Sequence, residues 1–387
     1  MTPGARVAGA IEVFDAVLQG APAEQVLTRW GRNNRFAGSK DRAAIRDYVF
    51  DGLRKRRSAA DAGGADTGRG ILIGLLRLSG VDPATLFDGV GHAPSPLTGD
   101  EQAAHIASQE LGVAWNLPDW LIPEFQASLG ATAAEVAIQL QARAPVTLRV
   151  NLAKATVSSA RSALAADGVE TTTNSLDKAA LTVTAGPRKI RNSRAYAEGW
   201  VELQDASSQA VVAGLPPATR VLDYCTGGGG KALALAMDDT RSVYAHDIDP
   251  RRMRDVPFRA ARAGADITMI ETDALPDTEP FDLVLCDAPC SGSGAWRRAP
   301  DAKWTLSAER LDELIAMQDD VLRAAKDQVG PKGTLAYATC SVLTRENVDR
   351  VTGFLAENPD WECVWQKRFE VSAMGDGFYV AHLTRAS

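Results

Sequence analysis

The sequence predicts an α/β protein in which a doubly wound sheet follows a small α+β unit and an N-terminal region of helices. Three observations support this prediction. Strand-like and helix-like segments alternate from about Gly199 to the end of the chain, apolar residues recur at helical spacing before residue 140, and the stretch from Pro145 to residue 198 mixes both patterns. Alternating strands and helices are typical of an open sheet with helices on both faces.

The size and composition are those of a soluble globular protein. The 387 residues suffice for two or three domains, and 45% are hydrophobic and 24% charged. No apolar run reaches membrane-spanning length and the N-terminus lacks a signal-peptide pattern, so we expect a cytoplasmic protein with no membrane partner. Five cysteines in so long a chain do not predict a disulfide framework. Cys286 and Cys290 have no second pair and no nearby histidine, which predicts no metal site.

The net charge of −7 hides two clusters of basic residues. Between Arg29 and Arg57 there are ten Arg or Lys and three Asp, and between Arg143 and Arg194 there are nine Arg or Lys and three acids. A basic face on an acidic protein is able to bind phosphate. Two solvated helix or loop faces would give the same counts, so charge alone leaves nucleic-acid binding open.

Residues 1–140 form the predicted all-helical domain. Their apolar positions fall on one face of successive helices, and pieces rich in Ala and Gly or in Pro and Gly separate them. The expected helices cover Val7–Leu18, Ala43–Arg57 and a segment beginning with Ile71–Leu78, and the expected connections are Ala59–Gly70 and Ala93–Gly99.

Residues 145–198 form a predicted α+β unit of strand, helix and strand, and residues 199–387 form the predicted sheet domain. In the smaller unit the strands are expected at 146–150 and 180–184, with a helix at 158–167. In the larger domain the strands are expected at 220–223, 242–246, 267–270, 281–286 and 334–337, and the helices at 230–237, 251–263 and 307–329.

A glycine loop follows the first strand of the predicted sheet. The run from Val221 to Lys231 contains four consecutive glycines, Gly227 to Gly230. Glycines let the backbone approach a ligand closely while a helix N-terminus faces it. The spacing fits neither the dinucleotide G-x-G-x-x-G pattern nor a Walker loop. The loop therefore predicts the ligand crevice of a Rossmann-like sheet, and a merely flexible turn is the alternative.

Acidic residues follow the next two predicted strands. Asp247 and Asp249 come after one strand and Asp273 after the next. An acid at the first position can hold ribose hydroxyls, and one at the second can accept from an adenine amino group. Each acid alone is more often a loop or cap residue. Together, beside the glycine loop, they favour an adenosine ligand without a pyrophosphate, a description that S-adenosylmethionine fits.

Two cysteines stand just beyond predicted strands at the same edge of the sheet. Cys290 lies in Asp287-Ala-Pro-Cys-Ser and Cys340 in Ala-Thr-Cys-Ser. A strand cysteine is most often a small buried hydrophobic residue, but each of these is followed by Ser in a predicted turn at the crevice. We expect covalent chemistry from this pair. Cys225 is expected against the ligand, and Cys286 and Cys363 are expected to be packing residues.

A basic loop with two tryptophans follows Cys290. Arg297, Arg298 and Lys303 are able to hold phosphates, and Trp296 or Trp304 is able to stack on a base. This combination predicts RNA contacts next to the two cysteines.

These motifs resemble the Nop/Sun family of RNA cytosine-5 methyltransferases, most closely its bacterial small-subunit rRNA branch, over nearly the whole chain. The resemblance implies a Rossmann-like class I methyltransferase core and a NusB-like, RNA-binding N-terminal domain. It is carried by Asp-Ala-Pro-Cys-Ser-Gly at 287–292 with Arg-Arg-x-Pro-Asp at 297–301, by Ala-Thr-Cys-Ser at 338–341 with Glu346-Asn347, by Gln-Asp-Ala-Ser-Ser-Gln at 204–209, by Asp-Gly-Phe-Tyr at 376–379 and by Asp41-Arg-Ala with Gly52-Leu-Arg.

Three features depart from the family pattern. The family loop Asp-x-Cys-Ala-Ala-Pro-Gly-Gly-Lys-Thr is here Asp223-Tyr-Cys-Thr-Gly-Gly-Gly-Gly-Lys-Ala, so Gly228 replaces the loop proline. A looser loop with altered cofactor affinity is therefore expected. The helix between Asp249 and Gly264 lacks the usual asparagine, and the N-terminal region is short.

The resemblance also implies the roles of individual residues. Cys340 would be the thiolate that adds to carbon 6 of cytosine, and Cys290 would assist its release. Asp287 would hold the base edge near ring nitrogen 3, and Lys231 would position cofactor or base. The cofactor is S-adenosylmethionine, and its implied contacts are Cys225, Thr226, Gly227, Gly228, Gly229, Gly230, Lys231, Asp247, Asp249, Arg252, Asp273 and Asp287.

The expected substrate is a cytosine of RNA, with 16S rRNA first and tRNA as an alternative, and the enzyme is expected to be a monomer. A base that takes part in chemistry must leave its stack, so a loop or an opened helix is the expected target. A DNA cytosine-5 methyltransferase would instead take its nucleophile from the Pro-Cys corner, at Cys290. A NusB-like RNA-binding factor with a decayed core and a zinc protein are the remaining alternatives.

Overall fold

The computed structural model describes residues 1–103 and 108–386. Residues 104–107 of the predicted helical domain lie outside the described residues. Within the described ranges, no helix combines the length and apolar character that crossing a membrane requires.

The chain forms two compact units. Unit 1 contains residues 1–143 and 296–308, and unit 2 contains residues 144–295 and 309–387. The predicted separation of 145–198 from 199–387 falls inside unit 2 and stays a prediction. The sequence did not indicate that the segment 296–308 belongs to the N-terminal unit.

Unit 1 is helical, as predicted. Thr2 caps the first helix by accepting a hydrogen bond from the Ala5 amide at 3.2 Å, and a proline occupies the first turn. The apolar faces of the first, third and fifth helices meet in one core around Phe14, Ile45 and Ile71. The α-helices are α1 (Pro3–Leu18), α2 (Ala23–Asn33), α3 (Ser39–Arg54), α4 (Arg56–Gly63), α5 (Gly68–Leu78), α6 (Gly99–Gln102), α7 (Leu111–Trp115), α8 (Leu121–Leu129), α9 (Ala133–Gln139) and α15 (Ala302–Thr305).

The predicted connection Ala59–Gly70 was wrong over most of its length. The expected helix breaks at Lys55, and α4 and α5 then occupy much of the Ala-Gly-rich piece. These two helices are packed closely, since a Cβ on Gly74 would stand 1.8 Å from the Ala59 carbonyl oxygen and a Cβ on Gly63 1.8 Å from the Gly70 carbonyl oxygen. The glycines therefore permit a close helix crossing and not a loop.

Unit 2 begins with a four-stranded sheet in the order β2-β3-β1-β4, all of whose strand pairs are antiparallel. The sequence predicted β1 and β3 but not β2 and β4, whose residues lack a clear apolar alternation. The elements are β1 (Thr147–Val150), α10 (Val157–Ala166), β2 (Glu170–Thr173), β3 (Ala180–Ala185), α11 (Arg194–Ala197) and β4 (Val201–Leu203).

The rest of unit 2 is a seven-stranded sheet in the order β10-β11-β9-β8-β5-β6-β7. The five strands from β9 to β7 in this order are parallel, and the C-terminal pair β10 and β11 is antiparallel. The strands are β5 (Arg220–Asp223), β6 (Ser242–Ala245), β7 (Ile267–Met269), β8 (Phe281–Asp287), β9 (Val329–Thr339), β10 (Trp361–Phe369) and β11 (Phe378–Arg385), and the helices are α12 (Ala206–Ala213), α13 (Gly230–Leu235), α14 (Val256–Ala263), α16 (Ala308–Ala325) and α17 (Val348–Glu357).

Both faces of this sheet are buried, which confirms the predicted doubly wound arrangement. Val221 and Leu283 face one apolar cluster, while the next residues along the same strands, Leu222 and Val284, face a second one. The predicted helix at 251–263 is divided into a 3₁₀ turn (Pro250–Met253) and α14, where Pro257 stands in the first turn.

Candidate active site at the carboxyl edge of the sheet

The candidate active site lies where the adjacent parallel strands β5, β8 and β9 end. Their last residues are Asp223, Asp287 and Thr339. The glycine loop follows the first of these strands, the Pro-Cys-Ser segment follows the second, and Cys340 follows the third. Carboxyl ends of parallel strands form the ligand crevice of open α/β sheets.

The two predicted catalytic cysteines lie in contact. Cys290 Sγ and Cys340 Sγ are 3.5 Å apart, and both residues are partly buried. The hydrogen bond with Cys340, together with burial and the nearby charge of Glu346, raises the pKa of the Cys290 thiol well above its ordinary value. Cys290 is therefore held as a thiol beside the second sulfur at neutral pH.

One buried glutamate joins the loops that carry the two cysteines. Glu346 has no exposed surface. One carboxylate oxygen accepts from the Ser291 amide at 2.7 Å and from Gln318 Nε2 at 3.1 Å, and the other accepts from the hydroxyls of Ser291 and Ser341 at 2.5 Å each. A buried carboxylate requires hydrogen-bond donors for its oxygens. Because these donors come from both cysteine-bearing loops, Glu346 holds the two loops in fixed positions.

A second set of hydrogen bonds holds the same two loops together. Ser293 Oγ lies 2.9 Å from Ser341 Oγ and accepts from the Val342 amide at 2.9 Å. The Gly294 amide donates to the Cys340 carbonyl at 2.9 Å. These bonds join residues 293 and 294 of one loop to residues 340–342 of the other, so several independent contacts fix the distance between the two sulfur atoms.

Lys231 and Asp287 form an ion pair in the same crevice. Lys231 Nζ donates to Asp287 Oδ2 at 2.6 Å, and the lysine side chain is buried. Burial lowers the pKa of Lys231, but the charge of Asp287 outweighs it and the pKa ends above its ordinary value, with Cys340 a further contributor. Asp287 is partly exposed, so its carboxylate stays accessible from the crevice.

The glycine loop is ordered by Asp247 at the end of β6. The Gly227 amide donates to the Asp247 carboxylate at 2.9 Å, and the Thr226 hydroxyl donates to the Asp223 carbonyl at 2.7 Å. Gly227 and Gly229 have positive φ angles of 54° and 83°. These angles favour glycine, so the backbone itself requires two members of the run.

Arginine and glutamine side chains support the outer half of the loop. Arg259 donates to the carbonyl of Gly228, the residue that departs from the family pattern. Arg149 Nη1 donates to the Gly230 carbonyl at 2.9 Å, and Gln204 Nε2 does so at 3.2 Å. The expected loose loop is thus tied at two carbonyls by side chains from outside it.

A cavity of about 200 Å³ opens beside the glycine loop. Most of its lining is apolar, and one wall comes from α16 through Val321 and Ala324. Cys225 lies against it, and burial raises the pKa of that thiol, so it is a packing group and not a nucleophile. The complete lining is Tyr224, Cys225, His246, Asp247, Ile248, Arg252, Pro289, Asp320, Val321 and Ala324.

Asp223 lies buried beneath the loop. Burial and the charge of Asp287 raise the pKa of its carboxyl group to about 7. The carboxylate receives at most a weak backbone hydrogen bond from Ala232, and neither oxygen has a well-aligned partner among the described residues. A buried acid in this condition is a ready acceptor for a cationic or hydrogen-bond-donating ligand group.

The structure brings most predicted cofactor residues together, with two exceptions. Cys225, Asp247 and Arg252 line the cavity. Asp249 is engaged by Arg251 at 2.8 Å, and Asp273 is exposed on a 3₁₀ turn and does not line the cavity. Both stay predicted contacts that this arrangement does not support.

The predicted RNA contacts lie in unit 1, and two of the three are buried there. Arg297 and Lys303 are each 1% exposed, whereas Arg298 is exposed. Lys303 Nζ donates to the Arg54 carbonyl at 3.0 Å, and burial beside the Arg54 guanidinium lowers the pKa of Lys303 to about 7. A phosphate contact needs an accessible cation, so burial does not support this role for Arg297 or Lys303.

The sequence analysis missed several residues that shape the site. Glu346 was recognised only as part of a motif, and Gln318, Ser291, Ser341 and Arg259 were given no role. A glutamate six residues beyond a strand-end cysteine was the only available signal for Glu346. Among residues 1–103 and 108–386, no cluster of three or more His, Cys, Asp or Glu side chains suits a metal ion.

Comparison with known proteins gives two family matches. Residues 212–384 match the family of 16S rRNA methyltransferase RsmB/F, and residues 117–188 match the ferredoxin-like domain of RsmF/B-like methyltransferases. The second match includes most of the four-stranded sheet.

Curated relatives carry the same description. Ribosomal RNA small subunit methyltransferase B of Xanthomonas campestris is 33% identical over 293 residues, which cover 70% of this chain and 67% of the relative. The protein of the same description from Klebsiella pneumoniae strain 342 is 33% identical over 284 residues, covering 69% of this chain and 66% of the relative. The chain thus spans about two thirds of the length of these relatives.

Solved structures share the fold. PH0851 superimposes with a TM-score of 0.81 at 22% identity, covering 100% of this chain and 99% of its own. NSun6 from Pyrococcus horikoshii, determined with SFG, has a TM-score of 0.61 at 16% identity, covering 70% of this chain and 98% of its own. At these identities the likeness confirms the predicted Rossmann-like architecture alone.

Proposed function

The chain belongs to the RsmB/F family of 16S rRNA methyltransferases, and on that premise we propose that it transfers a methyl group from S-adenosylmethionine to carbon 5 of a cytosine in RNA, with 16S rRNA the first candidate. The observation that carries the proposal is the contact of Cys290 with Cys340 at 3.5 Å. Methylation of a carbon atom that is a poor nucleophile calls for covalent catalysis to activate that carbon, and two thiols in contact suit this chemistry.

The crevice fits S-adenosylmethionine. The apolar cavity beside the glycine loop suits an adenosine group, with Ile248 and Pro289 among its walls. Asp223 offers a buried carboxylate that lacks a well-aligned partner, which suits the ammonium group of the methionine part. When bound, S-adenosylmethionine would supply an electrophilic methyl group, whose bond to the sulfonium sulfur breaks with its electron pair on sulfur to leave a neutral thioether.

Cys340 is proposed as the nucleophile. Its thiolate forms a bond to carbon 6 of the cytosine, and the electron pair of the carbon 5–carbon 6 double bond is then available at carbon 5. Ring nitrogen 3 takes up a proton, so that carbon 5 becomes part of a neutral enamine. Lys231 is the buried cation of the same crevice, and the charge of Cys340 is one of the causes of its raised pKa.

Asp287 and Lys231 are proposed to orient the base. The partly exposed Asp287 carboxylate accepts from the cytosine amino group while its Oδ2 accepts from Lys231. Because Lys231 is the charged donor of this pair, its ammonium supplies the proton to ring nitrogen 3 and recovers it at the end.

Cys290 is proposed to assist release. Once carbon 5 carries the new methyl group, it loses its proton to solvent, and that electron pair restores the carbon 5–carbon 6 double bond. The bond from carbon 6 to sulfur then breaks with its electrons on Cys340. Cys290 is held as a thiol 3.5 Å away, and its S–H group donates a hydrogen bond to the departing thiolate.

Separate removal of the two thiols tests the proposal. We expect Cys340→Ala to abolish methyl transfer to RNA, and Cys290→Ala to accumulate a covalent protein–RNA adduct that survives denaturing electrophoresis. Cys363→Ser is the matched control, because this cysteine lies on β10 and takes no part in the site. The reverse pattern, with the adduct lost in Cys290→Ala, would indicate a nucleophile at the Pro-Cys corner, as in DNA cytosine-5 methyltransferases.

Two further measurements address the remaining alternatives. Calorimetry that detects no binding of S-adenosylmethionine to the purified chain would leave an RNA-binding factor with a decayed core. Bisulfite mapping of rRNA and tRNA, from cells with and without the gene, identifies the cytosine and the class of RNA. A site found only in tRNA would replace 16S rRNA as the substrate while leaving the chemistry unchanged.

A further inference from the structure

Unit 1 carries a cationic surface that the chemistry of the active site does not use. It lies on α2, on the turn that follows it and on the start of α3. We call it the α2–α3 surface; its members are Arg29, Arg32, Arg35, Phe36, Lys40 and Arg42, and all of them are exposed.

The cations of this surface are largely unneutralised. Within the described residues, Arg29, Arg32, Arg35 and Lys40 form no ion pair and no side-chain hydrogen bond, and Arg42 donates only to the Ala37 carbonyl at 2.9 Å.

The acids nearby are already paired. Glu24 is bound by Arg46, and the mostly buried Asp41 is bound by Arg6 at 2.8 Å and by the N-terminal amine at 3.3 Å. The surface is therefore strongly positive in a chain whose net charge is −7.

A groove runs along the same surface. A cavity of about 570 Å³ is lined by Arg29, Arg32 and Asn33, and a neighbouring one of about 440 Å³ by Arg32, Arg42 and Trp30, among others. Both share Glu24, Thr28 and Arg32 in their walls, and the Glu24 carboxylate is neutralised by Arg46. A concave, positively charged track of this kind suits a flexible phosphate backbone.

An exposed aromatic ring stands within the cations. Phe36 is 72% exposed, the highest value among the exposed large apolar side chains in the described part of unit 1. An exposed phenyl ring beside arginine side chains provides a surface on which an unpaired base can stack. Bases inside a duplex are already stacked on one another, so the ring selects a single strand.

We propose that the α2–α3 surface binds a single-stranded segment of the RNA substrate through phosphate contacts from its cations and base stacking on Phe36. The inference rests on the proposed function only in taking RNA as the substrate. The surface supplies affinity and register, since phosphate contacts and unspecific stacking carry little information on sequence.

The binding test uses the full chain and a fluorescein-labelled oligouridine of about twelve nucleotides, a length within the usual site size. Oligouridine is unstructured and holds no cytosine, so the reaction does not contribute. We expect Arg29→Ala/Arg32→Ala/Arg35→Ala to weaken binding and to reduce the slope of log Kd against log salt concentration by about 2, because each phosphate contact on a single strand contributes about 0.7.

Phe36 separates stacking from charge. We expect Phe36→Ala to weaken binding about fivefold or more with an unchanged salt slope, and Phe36→Trp to bind at least as tightly as the wild type. The control for charge is Arg310→Ala/Arg323→Ala/Lys332→Ala, which removes three exposed cations of unit 2 and should leave binding of the oligonucleotide nearly unchanged.

Methyl transfer to an rRNA fragment distinguishes this inference from the proposed function. We expect the triple variant of the α2–α3 surface to raise KM while kcat stays that of the wild type. If these variants bind oligouridine as the wild type does while the wild type methylates RNA, the inference is overturned and the function stands. If the variants of the α2–α3 surface lose oligouridine binding but the wild type methylates no RNA, the proposed function is overturned and the inference stands. The inference is also overturned if duplex RNA competes with the labelled oligouridine as well as single-stranded RNA does, or if an acidic peptide of equal charge displaces the oligouridine.

Discussion

Cys290 and Cys340 place their sulfur atoms 3.5 Å apart across 50 residues of sequence. Adjacent parallel strands β8 and β9 bring their loops to the same edge, and Glu346 then binds a serine from each loop. The spacing of the two thiols is therefore a property of the whole sheet edge.

Glu346 is expected to position both thiols. Glu346→Ala leaves the hydroxyls of Ser291 and Ser341 and the Ser291 amide without their buried acceptor, so we expect a loss of about 3 kcal/mol or more in the free energy of unfolding. Glu346→Gln keeps one oxygen acceptor and should fold. It removes a negative charge that helps to raise the pKa of Cys290, so that pKa should fall.

The readouts for Glu346→Gln are the pH dependence of Cys290 alkylation by iodoacetamide and the kcat of methyl transfer. We expect alkylation to begin at lower pH and kcat to fall about tenfold as the loops loosen. Glu357→Gln, an exposed glutamate on α17, is the matched control. An unchanged alkylation profile in Glu346→Gln would show that this carboxylate does not act on Cys290.

Gly292→Ala is expected to impair the site locally. Gly292 has φ +67°, and a Cβ built on it would lie 4.0 Å from Cys340 Sγ. The left-handed conformation costs an L-residue about 1–2 kcal/mol, and the new methyl group would narrow the approach of a base to the sulfur. We expect a fall in kcat/KM of about tenfold or more. Gly353→Ala, in α17 with open space around it, should leave activity unchanged and slightly raise stability.

Gly228 and Arg259 are expected to be coupled in cofactor binding. Arg259 donates to the Gly228 carbonyl, so we expect Arg259→Met to loosen the loop and weaken S-adenosylmethionine binding about fivefold by calorimetry. Gly228→Pro restores the family residue and stiffens the loop, so the same Arg259 substitution should then cost less. Arg262→Met is the control, because Arg262 binds Glu202 as Arg259 does but makes no contact with the loop carbonyl. If the effects of Arg259→Met and Gly228→Pro on the affinity for S-adenosylmethionine are additive, the arginine and the proline do not order the loop in the same way.

Lys303 is expected to make unit 1 more stable at alkaline pH. In the unfolded chain its ammonium keeps a proton up to about pH 10.5, whereas in the folded unit it does so only up to about pH 7. Between these values the unfolded state binds more protons, so the free energy of unfolding rises with pH, by up to about 1.4 kcal/mol per pH unit. Lys303→Met should lose this rise in denaturant titrations between pH 7.5 and about 9. Lys332→Met, an exposed lysine, should keep it. A wild-type slope in Lys303→Met would mean that the ammonium stays charged in the folded unit.

The sequence predicted the strands that position the site because their apolar runs are buried on both faces. Val221-Leu-Asp and Phe281–Cys286 are such runs, and their ends carry Asp223 and Asp287. The strands β4 and β10 were missed because an edge or partly exposed strand leaves no comparable run. Strand order brought Cys290 and Cys340 to one edge, but the contact between their sulfurs depends on side chains far apart in sequence.

Burial of charged residues was the property that the sequence indicated least well. Arg297 and Lys303 were assigned to phosphates because charge is visible in a sequence and burial is not. Glu346 shows the opposite case, since a fully buried carboxylate organises two loops although its position in the chain suggests a surface turn. In both cases the hydrogen-bond partners decide the role, and those partners come from other parts of the chain.

The membership of residues 296–308 in unit 1 bears on how the protein can be dissected. Trp296 stacks on Phe125 at 6.1 Å, and the Trp304 indole donates to the Leu53 carbonyl at 2.7 Å. A fragment that begins at residue 144 would lack the residues of unit 1 that bury Trp296, Lys303 and Trp304, which follow Cys290 in the sequence. Such a fragment would expose the apolar side chains of the segment 296–308, and exposed apolar surface promotes aggregation. Loss of activity in the fragment would therefore indicate aggregation and would not show that RNA recognition is lost.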